Sequence, residues 1–446
     1  MRLHDKGILW MGEDFSSRLL TVAAVVISSF VANAAFPSIN PETVVFNQAN
    51  TRATISYELK DAPAIVTCDI ETNTMANASG EWVSIGGENL QTLSGDVHKV
   101  VRTGVRKITW QSRAEWPEMK IPAGQIRAVL TAWATNAPPD YLVIGLDAKN
   151  DVRLYAKSDF VPYGIGSDYY KTNAILMRKI PAAGVNWRMG SYEDEDSSRS
   201  VHEIPHLVVL TTDYYMGVYE LTQGQLKKIH AHTSDFAGYE DSPMRPANKL
   251  NIETMRGWGD EYWPNGGYDT IKEKTVIDLL RKKCGLAQID LPTEAQWEFA
   301  CRAGTDTAFN NGGASSKECI ESIGWYTWNS AVDGDKQPHA VGAWPSNGFG
   351  LYDMHGNIAE LCLGRWSDDY KKALGLPADY DGNRGIVVVD PLGAPSENND
   401  NELMLTKGGA YERAYPECRS AARLYYSNTK EYARIGCRLC APAVFK

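Results

Sequence analysis

The sequence predicts an α+β protein of two units, a small all-β sandwich followed by a larger, loop-rich domain with little regular secondary structure. Three observations predict it. Between residues 35 and 147, short runs alternate apolar and polar residues between turn formers. Beyond about residue 183 helical signals enter, clearest where Thr293 and Gln296 form a capping-box pattern ahead of an apolar face. The segments after residue 304 are rich in Gly, Asn and Ser and carry almost no periodicity. Loops of that length in a compact domain point to a bound ion or a binding role.

The N-terminus reads as an export signal. Arg18 precedes an apolar run over residues 19–32, and Ala32-Asn33-Ala34 follows it as a small-x-small cleavage pattern. Cleavage is expected after Ala34, which makes residues 1–34 a signal peptide. The long, partly acidic stretch before the run leaves Met11 open as the initiator. An uncleaved anchor is the alternative, but the run is short for a span of about 20 residues. No other stretch is long and apolar enough to cross a bilayer, so no membrane span is expected in the mature chain. The localisation expected is exported, with periplasm and exterior both open.

Residues 35–147 form the first unit, an immunoglobulin-like β-sandwich. Its strand candidates are residues 53–57, 64–68, 107–110, 127–133 and 141–144. Trp82, Trp110, Trp116 and Trp133 suit its core, and a carbohydrate platform is the alternative use. Residues 148–182 read as a connector, and residues 183–446 as the second unit. There a strand covers residues 207–212, Thr222 caps a short helix from Gln223, and a longer helix runs over about 270–283 to a stop at Gly285. The capping box at Thr293 opens a further helix that buries Trp297 with Ala300 or Cys301.

Composition narrows the function. The net charge of −10, from 55 acidic and 45 basic residues, argues against a nucleic-acid partner. Seven of the eight cysteines follow residue 280, so an oxidising compartment would place any disulfides in the second unit. Cys437-x-x-Cys440 has metal half-site spacing but no second pair. His202 and His206 could share one face of a strand, with a structural role as the alternative. No nucleophile elbow, phosphate loop or HExxH motif is present.

The second unit carries a set of motifs in fixed order. They are Met189-Gly-Ser191, Val201-His-Glu203, Tyr219-Glu-Leu-Thr222, Leu291-Pro-Thr-Glu-Ala-Gln-Trp-Glu298 and Gly348-Phe-Gly-Leu-Tyr-Asp-Met-His-Gly-Asn-Ile-Ala-Glu360. Lys407-Gly-Gly409, Cys418-Arg-Ser-Ala-Ala-Arg423 and Ile435-Gly-Cys-Arg438 complete it. Together they resemble the sulfatase-modifying-factor family, whose founding activity is the formylglycine-generating enzyme. The resemblance spans about residues 183–443 and implies a C-type-lectin-like fold. It does not reach the β-sandwich.

Each implied function must be checked on its own residues. The family's enzymes hold copper(I) on two cysteines that follow an Arg-Gly-Gly-Ser-Trp motif, since copper(I) prefers soft thiolates. Here the motif reads Lys407-Gly-Gly-Ala-Tyr411. The pair would fall near Arg413 and Tyr415, and Cys418 is the sole thiol of the segment. No catalytic residue is therefore assigned and copper is not expected. The resemblance also implies structural calcium in the loop 353–360. Asp353 and Glu360 would offer carboxylates, and Gly356 and Ile358 carbonyls. A turn in which the two acids bond only backbone amides is the alternative. It further implies a disulfide from Cys301 to Cys440 or Cys437, worth about 4–5 kcal/mol in the chain-entropy model, and a second from Cys362 to Cys418 is suggested.

The resulting expectation is a non-catalytic binding module for an exported protein, peptide or glycan. The loops over about 235–270 and 365–405 would be its binding surfaces. The alternative is a formylglycine-generating oxidase that activates sulfatases.

Overall fold

The computed structural model describes residues 36–49, 51–73, 81–87, 90–117, 124–230, 242–258, 270–367, 369–382, 384–392, 403–427 and 430–445. The expected signal peptide lies outside the described residues, as do parts of both long loops.

Alternation builds the first unit. Its strands are β1 (Ser38–Ile39), β2 (Val45–Gln48), β3 (Ala53–Lys60), β4 (Ala64–Thr72), β5 (Val83–Ser84), β6 (Ser94–Gly95), β7 (Val100–Val101), β8 (Gly104–Trp110) and β9 (Ile126–Ala134). In β3, Ala53, Ile55, Tyr57 and Leu59 point inward and are buried, and the residues between them are not. One sheet sets β1 and β2 on β3, then β8 and β6; the other sets β4 between β9 and the short β5 and β7. The tryptophans serve structure. Trp110 is buried and its indole donates to Glu115 Oε2 at 2.6 Å. Trp133 donates to Thr67 Oγ1 at 2.9 Å, and Trp116 packs on the core.

The boundary between units falls before residue 147. The second unit's strands are β10 (Tyr141–Gly145), β11 (Val152–Tyr155), β12 (Ala174–Ile180), β13 (Asn186–Met189), β14 (His206–Val209), β15 (Tyr214–Gly217), β16 (Ala359–Arg365), β17 (Val387–Val389), β18 (Leu403–Lys407), β19 (Leu424–Ser427), β20 (Ile435–Gly436) and β21 (Cys440–Pro442). The main sheet runs β11-β10-β12-β15-β21. Segment 141–144, expected in the sandwich, and two stretches of the expected connector 148–182, β11 and β12, therefore build this sheet. The reason is burial on both faces: Leu142, Val143 and Ile144 are all buried. A strand of that kind has no polar face to show which layer it joins. Two further sheets run β13-β14-β17 and β19-β18-β16-β20, and Ala331–Val332 pairs with Asp335–Lys336 in a two-stranded ribbon.

Helices pack on these sheets where the caps start them. In α1 (Gln223–Ile229), Thr222 and Gln225 form a reciprocal capping box. Helix α2 (Val276–Cys284) ends at Gly285 with φ 75°, the left-handed stop that glycine allows. It begins later than residue 270 because Lys274, at φ 66°, breaks the lead-in. In α3 (Glu294–Arg302) Thr293 and Gln296 form the expected capping box, and Trp297, Ala300 and Cys301 are buried. No helix among the described residues is long and apolar enough to cross a membrane.

His98 joins the two units. Its Nδ1 lies 3.0 Å from the Leu154 carbonyl of β11. Burial pushes its pKa down to about 4, against the Leu154 hydrogen bond. A group whose folded pKa is depressed below the ordinary 6.5 contributes stability that is full above 6.5 and is lost as pH falls through 4. Urea unfolding should therefore show falling stability over that window, with a smaller fall in His98→Gln.

Candidate functional site

Helix α3 organises the second unit's interior by gathering charge. Glu298 accepts from the Gly190 N–H at 2.9 Å, from Arg302 Nε at 2.9 Å and from Lys407 Nζ at 2.9 Å. Glu294 takes Arg423 through both oxygens, at 2.6 and 3.1 Å. Trp297 donates its indole N–H to Glu360 Oε2 at 2.6 Å. All of these side chains are buried. Burial by itself would raise the Glu298 carboxyl, but Lys407 and Arg302 outweigh it and hold the pKa at about 2.

The loop 353–360 answers to Arg438. Glu360 accepts from Arg438 Nη2 at 2.8 Å and from Nε at 3.1 and 3.2 Å. The remaining Arg438 donors reach the carbonyls of Gly217, Val218 and Tyr352 at 2.7–2.9 Å. Asp353 accepts from the Gly342 N–H at 2.6 Å through Oδ2, and its Oδ1 is buried without a partner. Burial, with Glu360 nearby, raises the Asp353 carboxyl to about 6. Glu220 accepts from Asn357 Nδ2 at 2.6 Å and from the Ile358 N–H at 3.1 Å, and burial beside Asp353 and Glu360 pushes it well up. Gly356, at φ 84°, has no room for a Cβ against the Trp325 carbonyl.

Of the four expected calcium ligands, Glu360 gives both oxygens to a guanidinium and an indole, while Asp353 gives one oxygen to the Gly342 N–H and keeps the other without a partner. Glu360 as arranged is held by Arg438. Among the described residues no three acidic, His or Cys side chains are gathered as a metal requires. Sequence reasoning missed Glu220 and Arg438 as the partners in this knot. Both lie in motifs quoted above, and a buried arginine opposite several acids was the available signal.

The segment that should carry the thiol pair is closed. Arg413 donates to Glu417 at 3.0 Å and to Tyr426 Oη at 3.0 Å, while Tyr415 packs beside Trp328 with ring centroids 5.8 Å apart. Cys418 is buried, its Sγ 3.6 Å from the Ala414 carbonyl, and burial pushes the thiol up to about 12. A Cβ on Gly409 would collide with that sulfur. One buried thiol does not fit copper(I). Outside this closed segment, Trp328 is 57% exposed, with Tyr326 at 5.6 Å and Lys317 at 6.0 Å from its ring.

The expected disulfides are not formed: all eight cysteines are free. Cys301 Sγ lies 3.6 Å from Ser420 Oγ and 3.8 Å from His355 Nε2. Cys440 instead lies 3.7 Å from Gln296 Oε1, and Gln296 is about 140° around α3 from Cys301. Cys362 Sγ faces the Glu360 carbonyl at 3.8 Å, away from Cys418. His202 and His206 are likewise structural, packing on Trp366 and Tyr370.

Comparison with known proteins identifies the family of the second unit. Residues 180–443 match the family model described as "Sulfatase-modifying factor enzyme 1-like domain", so the chain belongs to that family. Formylglycine-generating enzyme of Mus musculus is 32% identical over 299 residues, 60% of this chain and 75% of that protein. The Bos taurus enzyme is 28% identical over 297 residues, 59% and 74% respectively. The Thermomonospora curvata enzyme is 31% identical over 160 residues, and the match spans only 48% of its length and 34% of this chain. Among solved structures, Treponema denticola variable protein 1 aligns with a TM-score of 0.43 and 23% identity, covering 60% of this chain and 95% of that one.

The ionic knot gives a direct prediction. Glu298, held at about 2 against an ordinary 4.5, contributes stability that is full above 4.5 and is lost as pH falls through 2. Glu298→Gln should flatten acid unfolding over that window. At neutral pH it should destabilise by about 3–5 kcal/mol, because Arg302 and Lys407 are left buried with less compensation. Urea midpoints across pH check both.

Proposed function

We propose that this chain is a non-catalytic member of its family, a lectin-like recognition module for an exported protein, peptide or glycan. One observation carries the reading. Where a copper-binding thiol pair would stand, Arg413 and Tyr415 are engaged in packing and ion pairing, and the single thiol of the segment, Cys418, is shut inside. A buried thiol held protonated is neither a nucleophile nor a metal ligand. The exposed Trp328, with Tyr415 and Lys317 around it, supplies an aromatic face beside that segment. Such a face suits stacking on a sugar ring or a peptide side chain.

Incubating the protein with copper(I), oxygen and a cysteine-containing sulfatase peptide should yield no formylglycine by mass spectrometry. Formation of the aldehyde would restore the oxidase activity for which the mammalian relatives are named. In a screen of glycans and exported proteins, Trp328→Ala should weaken the ligands found by about tenfold, within the range for an interface aromatic, and leave the melting temperature unchanged.

Calcium has a minor place in this reading, because Arg438 already satisfies Glu360. Chelation should leave the melting temperature where it is. A rise of several degrees on adding calcium would mean that loop 353–360 rearranges around an ion.

A further inference from the structure

A second cavity lies in the second unit, and it shares no residue with the Trp328 face. Its volume is about 530 Å³, and it opens between the loop after Ser191 and the segment 371–381. That segment falls within one of the two loops expected to bind. Both walls are pinned from behind. Arg199 donates to Ser191 Oγ at 3.1 Å and to the carbonyls of Ser191 and Glu203 at 3.0 Å, which fixes the loop. Across the cavity, Gly382 at φ 86° sits so near Pro205 that an added Cβ would lie 2.6 Å from its ring. The Gly382 carbonyl accepts from Arg188 Nη1 at 3.3 Å, and Lys371 Nζ donates to the Ala378 carbonyl at 3.0 Å. The basic groups in and behind the walls are thus engaged by acceptors of the chain itself.

The acceptors that line the cavity are in the opposite condition. Tyr380 is 2% exposed, and its Oη has no hydrogen-bond partner among the described residues. A buried hydroxyl in a folded protein nearly always has one. Burial raises this phenol above its ordinary 10.0, and the groups that act on it next are Arg188, Asp381 and Tyr192. Two of those, Asp381 and Tyr192, line the cavity, so the hydroxyl stands on the cavity side. Glu193 and Asp194 are exposed at the rim, and no described residue bonds or pairs with their carboxylates. Val201, 77% exposed, makes an apolar wall with Ile204 and Pro205.

A ligand that fits must bring hydrogen-bond donors and an apolar stem. A sugar ring would also need an aromatic face to stack on. Here the Arg188 guanidinium lies over the Tyr192 ring at 4.9 Å, and Tyr380 is buried. Lysine and arginine side chains carry methylenes that pack on apolar surface and a head that only donates.

We propose that this cavity binds a lysine or arginine side chain of a protein or peptide ligand. The methylene stem lies along Val201, Ile204 and Pro205, and the head is taken by Tyr380 Oη and the carboxylates of Glu193 and Asp194.

Ligand-observed NMR titration with acetylated tripeptide amides that carry lysine, arginine or norleucine at the centre tests this. Both basic peptides should bind. The norleucine peptide keeps the stem and loses the head, and should bind at least about tenfold more weakly. Tyr380→Phe removes only the hydroxyl. It should weaken the basic peptides about tenfold and leave the melting temperature unchanged or raised, because the free protein loses no hydrogen bond. Glu193→Gln with Asp194→Asn should weaken them about as much and flatten the dependence on salt. Trp328→Ala should leave this binding unchanged, so the site and the Trp328 face fail separately. The proposal is overturned if neither basic peptide binds, if norleucine binds as well as lysine, or if Tyr380→Phe leaves the affinity untouched. Binding of a methyl glycoside in place of the basic peptides overturns it too.

Discussion

Charge buried around α3 is the constraint on which the second unit depends. Glu294, Glu298 and Glu360 stand in the interior opposite Arg423, Arg302, Lys407 and Arg438, with Trp297 between them. Apart from the Glu298–Arg302 pair within α3, these contacts join segments distant in sequence: Glu360 meets Arg438 across 78 residues, and Glu298 meets Lys407 across 109. A domain whose strands are short has few ladder bonds with which to fix its loops. Paired charges do that work here, because a buried ion has few arrangements that leave it compensated. Arg419, bound to Glu195 and Glu203 at 2.6–3.0 Å, does the same for the acidic loop after Ser191.

Those features that are local in the chain were legible. The cap at Thr222, the capping box at Thr293, the stop at Gly285 and the alternation in β3 each depend on residues within one turn or one strand, and each stands where the pattern put it. What depended on a distant partner was not. Glu360 was offered as a calcium ligand by the family resemblance, and only the fold shows that Arg438 stands opposite it. Strand β10 read as part of the sandwich because its apolar run has no polar face. Cys301 read as bridged on the family resemblance, which carries no direction for the side chain, whereas the structure aims it at Ser420.

The glycines mark where the backbone itself sets the site. Gly356 lets the loop 353–360 pass against Trp325, and its neighbour Asn357 then accepts the Tyr411 N–H at 2.9 Å. Gly409 lets the chain fold tightly over Cys418. The loop that holds Glu360 and the segment that would hold a thiol pair are thus braced against each other.

That bracing separates stability from chemistry. The contacts just described use carboxylates, guanidinium groups, amides and close backbone approach rather than thiolates or disulfides. Exchanging a reactive pair for Arg413 and Tyr415 removes no member of the knot around α3 and adds an ion pair with Glu417. A scaffold fixed in this way can lose its reactive groups and still present Trp328 in a defined place.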